Sequence, residues 1–227
     1  MKTSKKKMTK EKIKEVAIEL FNREETLSVT TNHIAKEAGI SPGNLYYHYK
    51  NKEEILIEIY QEMSDTFVGY NSFTRIIQSD NPLKELSKMF DLYGELFWHY
   101  RFLMRDATVL MAIYPRLKSI FSERQEKRIK QIESLLHYLL EQHILERIPA
   151  EEISLRAKLH WFISTYWQTF ITTGSEITKH SIKEAKVVIL NCSYTLIFQK
   201  KEKRCGRKLR IFDKRTESSV RKWEKED

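Results

Sequence analysis

The residues best suited to chemistry fall between positions 31 and 52. Pro42, Asn44, Tyr47 and His48 lie within seven consecutive positions, and Lys52 follows shortly after. An amide, a phenol and an imidazole donate and accept hydrogen bonds, so at the start of a helix in a major groove they read base edges or hold phosphates. Lys52, near the start of the next helix, is placed to clamp a backbone phosphate. No catalytic set competes. Glu176 and His180 form one i, i+4 pair without the second Glu/His set of a four-helix metal site. Ser and Cys residues lack the Gly-flanked turn that presents a nucleophile. Cys192 and Cys205 are too few and too far apart for a disulfide framework or a zinc site. The expectation is a non-enzyme with no catalytic residue, no metal and no cofactor.

Such a reading face needs elements that present it. Ile13, Val16, Ala17, Leu20 and Phe21 form a helical stripe over about 9–23. Thr30 and Thr31 can cap a short helix carrying Ile34, Ala35 and Ala38, and Gly39 ends it. Ser41-Pro42 is an N-cap followed by proline, a strong helix start. Leu45 and Tyr49 share the inner face of that helix, which turns Tyr47 and His48 elsewhere; His33 reads as a solvated position. Asn51 caps the next helix, where Glu53 and Glu54 suit the positive dipole end. Helix, glycine turn, helix, and at once a third helix: this is a helix-turn-helix.

The pattern Thr31-x-x-Ile34-Ala35-x-x-Ala38-Gly39-Ile40-Ser41-x-Gly43-x-Leu45-Tyr46-x-His48-Tyr49-x-x-Lys52-x-x-Ile55 resembles the N-terminal domain of the TetR (tetracycline repressor-like) family. Ala17-x-x-Leu20-Phe21 fits the end of that family's first helix, and the match runs over about 7–67 without a gap. One departure is the lack of the glycine often found near Glu25. The resemblance implies DNA contacts at Thr31, Asn32, Pro42, Gly43, Asn44, Tyr46, Tyr47, His48 and Lys52. It further implies a larger helical C-terminal domain that binds a small effector and forms a homodimer through its last two long helices, about 150–173 and 178–199. The effector's identity does not carry over.

Composition agrees. Among 227 residues there are 6 Gly and 4 Pro, roughly a third of the usual ~12%. So few breakers argue against β-sandwiches, barrels, Rossmann units and P-loops. The expected fold is all-α: an N-terminal three-helix DNA-binding domain over 7–67, its helix-turn-helix at about 30–49, then a larger helical domain over 68–199. Further helices are expected from Pro82, over about 115–145, from Pro149 through Thr173, and over about 178–199. A basic tail, 200–227, follows as a helix extension, a solvated end or an accessory DNA-binding arm. Net charge is +5 over 1–52, −2 over 53–198 and +6 over 199–227, so polyanion contact belongs to the ends.

Aromatic residues Tyr93, Phe97, Trp98, Phe102, Trp161, Tyr166, Trp167 and Phe170 recur at helical spacing, with Arg105, His160, Thr165 and Gln168 among them. Each fits an ordinary core; together they suggest a pocket for an apolar or aromatic effector. Its candidate lining is Phe97, Phe102, Arg105, Trp161, Thr165, Trp167 and Gln168. Cys192 reads as a packing residue. No secretory apolar stretch follows the basic start, and the most apolar window, 159–173, is too short for a membrane span. The expectation is a cytoplasmic, ligand-responsive repressor on a palindromic operator. The alternative is a basic, all-helical membrane-surface or nucleic-acid-binding module without effector control.

Overall fold

The computed structural model describes residues 2–70, 72–145 and 148–205, with side chains over 7–70, 72–145 and 148–194. The described residues form eleven helices and no strand. A head comprises α1 (Lys2–Arg23), α2 (Thr31–Glu37) and α3 (Pro42–His48). Helix α4 (Lys52–Gly69) leads into the body: α5 (Ser72–Gln78), α6 (Pro82–His99), α7 (Arg101–Arg105), α8 (Ala107–Ile113), α9 (Pro115–Glu141), α10 (Ala150–Ile171) and α11 (Lys179–Cys205).

Local chemistry sets the head. Thr30, Ser41 and Asn51 each adopt extended φ/ψ and accept from the backbone N–H three residues on, of His33, Asn44 and Glu54. Each such cap contributes about 1 kcal/mol. Gly39 ends α2 at φ 65°. Its N–H donates to Lys36 O and that of Ile40 to Ala35 O, both at 3.0 Å, the paired closure that a left-handed residue allows. Ile13, Ala17, Phe21, Ile34, Leu45 and Tyr49 then meet in one core.

That core does not stop at the head. Tyr100, Phe102, Leu103, Met104, Leu110 and Leu117 belong to the same cluster, so the head is welded to α7–α9 through apolar contact. A second cluster joins α6, α9, α10 and α11 through residues such as Met89, Leu136, Ala157 and Tyr194. Helix α4 packs against both α1 and α9.

Several boundaries differ from those the sequence suggests. Helix α1 begins at Lys2, a turn or two earlier than the apolar stripe, because polar residues continue a helix without contributing to its stripe. Helix α9 ends at Glu141, and His143, the one described non-glycine residue at positive φ (52°), turns the chain away. Short α5, α7 and α8 lack the length for a readable period. Helix α11 reaches Cys205; the tail beyond it lies outside the described residues. Cys192 is exposed rather than packed, because Ser193 and Tyr194 take the inward positions.

Candidate nucleic-acid interface

Helix α3 presents its first turn outward. Pro42, Gly43 and Asn44 are exposed, Tyr46 and Tyr47 are 49% and 68% exposed, and His48 is half-buried. The Tyr47 and His48 rings stand edge-on with centroids 5.2 Å apart. Thr31 Oγ1 and Tyr46 Oη lie 3.0 Å apart, joining the start of α2 to the outer face of α3. Asn32 is exposed beside them. Leu45 and Tyr49 are buried beneath, as the apolar spacing requires. Gly43 has no internal reason to be glycine: its φ is not positive, and an added Cβ would meet nothing within 4 Å. Glycine in a helix costs about 0.5–1 kcal/mol relative to alanine, so its use here fits close approach by something outside the chain.

Lys52 is a correction. Its ammonium donates to the carbonyls of Thr26 (2.9 Å), Leu27 (3.1 Å) and Val29 (2.9 Å). An ammonium has three donors, and all are used inside the protein, so Lys52 tethers the loop before α2 instead of clamping a phosphate. Burial lowers its pKa.

Arg105 is a second correction. It lines no effector cavity; its guanidinium donates to Phe21 O (2.9 Å), Glu24 O (2.7 Å) and Asp106 Oδ2 (2.7 Å). Asp106 in turn accepts from Thr26 Oγ1 at 2.6 Å. Asn22 adds a bond to His99 O at 2.8 Å and accepts from the Phe102 N–H at 3.1 Å. Residues 24–29 are therefore gripped from α4 by Lys52 and from the body by Arg105 and Asp106. Within this loop every residue has an ordinary φ, which explains why it needs no glycine near Glu25.

Helix α4 carries a further link. Lys14 on α1, only 6% exposed, pairs with Glu11 at 2.8 Å and with Glu62 on α4. Burial would lower its pKa, but Glu11 and Glu62 carry it above the ordinary lysine value. Tyr100 Oη donates to Glu62 Oε1 at 3.2 Å. The other side of α4 faces a cavity.

That cavity, about 310 Å³, lies within the body and is walled by α4, α5, α6, α9, α10 and α11, with Met104 of α7. Phe97, Trp161, Thr165 and Gln168 line it as the sequence suggests. Phe102 does not: it packs on Phe21 with centroids 5.0 Å apart, at the head–body seam. Trp167 does not either; it turns to Phe170, 5.5 Å away. Residues on one amphipathic helix meet different neighbours according to which side the next helix covers, and spacing alone does not tell which. The walls missed from sequence include Phe67, Phe90 and Arg128. Arg124 and Arg128 stand at i, i+4 in line with buried Ile132 and Leu136; a cation in register with an apolar stripe is the signal that marks them. His160 Nδ1 lies 3.2 Å from Tyr194 Oη, and burial pushes the imidazole pKa down to about 3, so it is neutral. Gln168 Oε1 accepts from Ser181 Oγ at 3.0 Å.

Among the described residues no group of three His, Cys, Asp or Glu could hold a metal ion, and no helix is long and apolar enough to cross a membrane. His180 faces Glu184 at 3.5 Å, leaving the Glu176 pairing unmade.

A capped helix-turn-helix presenting polar groups, set on a helical body that contains a cavity, defines a regulator of the helix-turn-helix class. Comparison with known proteins gives the family. Residues 13–59 match "Bacterial regulatory proteins, tetR family", and residues 70–194, more than half the chain, match the C-terminal family described as "Bacterial transcriptional repressor". The chain belongs to the TetR family of transcriptional regulators. A helix-turn-helix (HTH)-type transcriptional regulator of Staphylococcus aureus (strain USA300) is 37% identical over 64 residues, 28% of this chain; the match spans 35% of that relative's length. A TetR-family regulator from Marinobacter aquaeolei VT8 superposes with a TM-score of 0.69 at 27% identity, covering 83% of this chain and 90% of that one. PfmR from Thermus thermophilus shares the fold, with a TM-score of 0.60 at 16% identity over 79% and 96% of the two chains.

Proposed function

We propose that this chain is a cytoplasmic, ligand-responsive repressor that binds a near-palindromic DNA operator as a homodimer and catalyses no reaction. The observation that carries the reading is the outer face of α3: Pro42, Gly43, Asn44, Tyr46 and Tyr47 are exposed on a helix whose start is fixed by the Ser41 cap. The N-terminal end of α3 enters the major groove, while Thr31, Asn32 and His48 contact bases or backbone at its edges. The domain division follows: residues 7–67 read DNA, and 68–199 bind effector and dimerise.

Dimerisation through α10 and α11 is supported by a stripe on α10. Leu155, Leu159, Phe162 and Phe170 are exposed at spacings of four, three and eight, which places them on one helical face. Phe162 and Phe170 are 58% and 62% exposed. Monomers rarely leave such a face to water, and two long helices per subunit make a four-helix interface.

Control passes through α4. Tyr60, Met63, Ser64 and Phe67 line the cavity, while Glu62 holds Lys14 of α1 and Tyr100. A ligand that binds better when α4 is displaced moves α1, and the grip on residues 24–29 carries that motion to α2 and α3. Such coupling typically lowers DNA affinity by about 1–3 kcal/mol.

The test is selection of bound fragments from genomic DNA by the full-length protein. The reading expects an enriched near-palindrome with half-sites about one helical turn (~34 Å) apart, bound by one dimer. Enrichment of no sequence over bulk DNA would overturn it.

A further inference from the structure

The body cavity has a charge pattern that its apolar walls do not explain. Its lining includes four basic side chains, Arg124, Lys127, Arg128 and Lys186, against one carboxylate, Asp65. Two of the four have acidic partners: Arg124 lies 3.8 Å from Asp65, and Lys186 Nζ lies 2.6 Å from Asp91 Oδ1. Arg128 has none. Among the described residues its guanidinium meets no carboxylate and no hydrogen-bond acceptor. It lies over the Phe67 ring, 4.6 Å from the centroid, and 5.9 Å from that of Phe73. Burial lowers its pKa, yet a guanidinium stays charged at neutral pH. A half-buried, unpaired charge is costly until an anion reaches it. Its planar fork of donors matches a carboxylate in bidentate fashion.

The surroundings of Arg128 are aromatic. Phe67 and Tyr93 have centroids 4.0 Å apart, and Phe67 and Phe97 are 5.5 Å apart; all three line the cavity. One end of the enclosure therefore calls for a negative charge and the rest for an apolar body.

We propose that the effector is an amphipathic carboxylic acid whose carboxylate pairs with Arg128 while its apolar body lies among Phe67, Tyr93 and Phe97. This rests on the reading of the cavity as the effector site and adds the ligand's class and orientation. It also names how the ligand is sensed. Arg128 belongs to α9 and Phe67 to α4, so a carboxylate that draws the guanidinium off the ring changes the α4–α9 contact. Helix α4 is the element that leads back to Lys14 and the head.

The test is calorimetric titration of the full-length protein with four probes: octanoate, 4-phenylbutyrate, 1-octanol and octylamine. Both acids should bind, with the alcohol and the amine at least about tenfold weaker, the size of one charge-assisted hydrogen-bond pair. Arg128→Met should bring octanoate down to the alcohol's level while leaving the alcohol within about twofold of its wild-type affinity. Arg128→Gln should do the same should the methionine variant fail to fold, and the wild-type acid-to-alcohol ratio is independent of either. An alcohol or amine that binds as tightly as the acids overturns the carboxylate assignment and leaves the effector cavity standing. Retention of the acid preference by both variants overturns the role of Arg128. No binding by any of the four probes overturns both the ligand class and the cavity's role as an effector site.

Discussion

The outer face of α3 and the loop at 24–29 lie close together in the head, yet they treat polar groups in opposite ways. On α3, Asn44 stands exposed on a helix held by one cap and two buried side chains, Leu45 and Tyr49. At the loop, carbonyls and cations are matched inside the protein: Lys52 takes three carbonyls, Arg105 takes two, and Asp106 takes Thr26. An exposed polar group keeps its hydration at no cost and is available to a partner. A buried one must be satisfied internally, and breaking that match is expensive. In the function proposed above, the difference separates a surface that recognises from a joint that transmits.

Substitutions can sharpen or break this contrast. Asp106→Ala leaves Arg105 without its carboxylate and Thr26 without its acceptor, both at a partly buried seam. Denaturant unfolding should show a loss of about 3 kcal/mol; a loss below about 1 kcal/mol would mean the clasp does not hold the head. Lys52→Met leaves three carbonyls unpaired and should cost about 2 kcal/mol of stability. The salt slope of DNA binding should stay as in the wild type, whereas loss of a phosphate clamp would reduce it by about one unit.

The body offers a milder contrast. His160 is neutral at its buried site, with a pKa of about 3 against an ordinary 6.5. The unfolded chain therefore binds a proton that the folded one does not as pH falls from 6.5 toward 3. Its share of stability is intact above 6.5 and declines below it by up to about 1.4 kcal/mol per pH unit. His160→Gln should flatten that part of the stability–pH curve, and an unchanged slope would refute the assignment. The smallest effect belongs to Gly43→Ala. Stability should rise by about 0.5 kcal/mol, while DNA binding weakens. A gain in both would show that nothing approaches α3 at Gly43.

The head was legible in the sequence where its determinants are local. Thr30, Ser41 and Asn51 cap groups three residues away, and Gly39 closes its own helix; spacing encodes both. The places of Lys52 and Arg105 are not legible in the sequence because their partners are distant in the chain. The Lys52 carbonyls lie 23–26 residues back and those of Arg105 81–84 residues back. Residue type announces a cation, but only packing decides which acceptor it reaches. The cavity was half legible for a related reason. Phe97, Trp161, Thr165 and Gln168 face it, while Phe102 and Trp167, equally aromatic and equally periodic, turn to Phe21 and Phe170. Helical period gives the stripe, and the neighbouring helix decides what the stripe faces.

Tyr47 concentrates the central claim, because it is exposed and its ring packs edge-on against His48 within the same helix. Fluorescence anisotropy on the selected operator, paired with thermal unfolding, compares wild type with Tyr47→Ala. The account predicts an unchanged melting temperature and at least about a tenfold loss of operator affinity, the scale of one lost base contact. Equal affinity in a folded Tyr47→Ala dimer would contradict it.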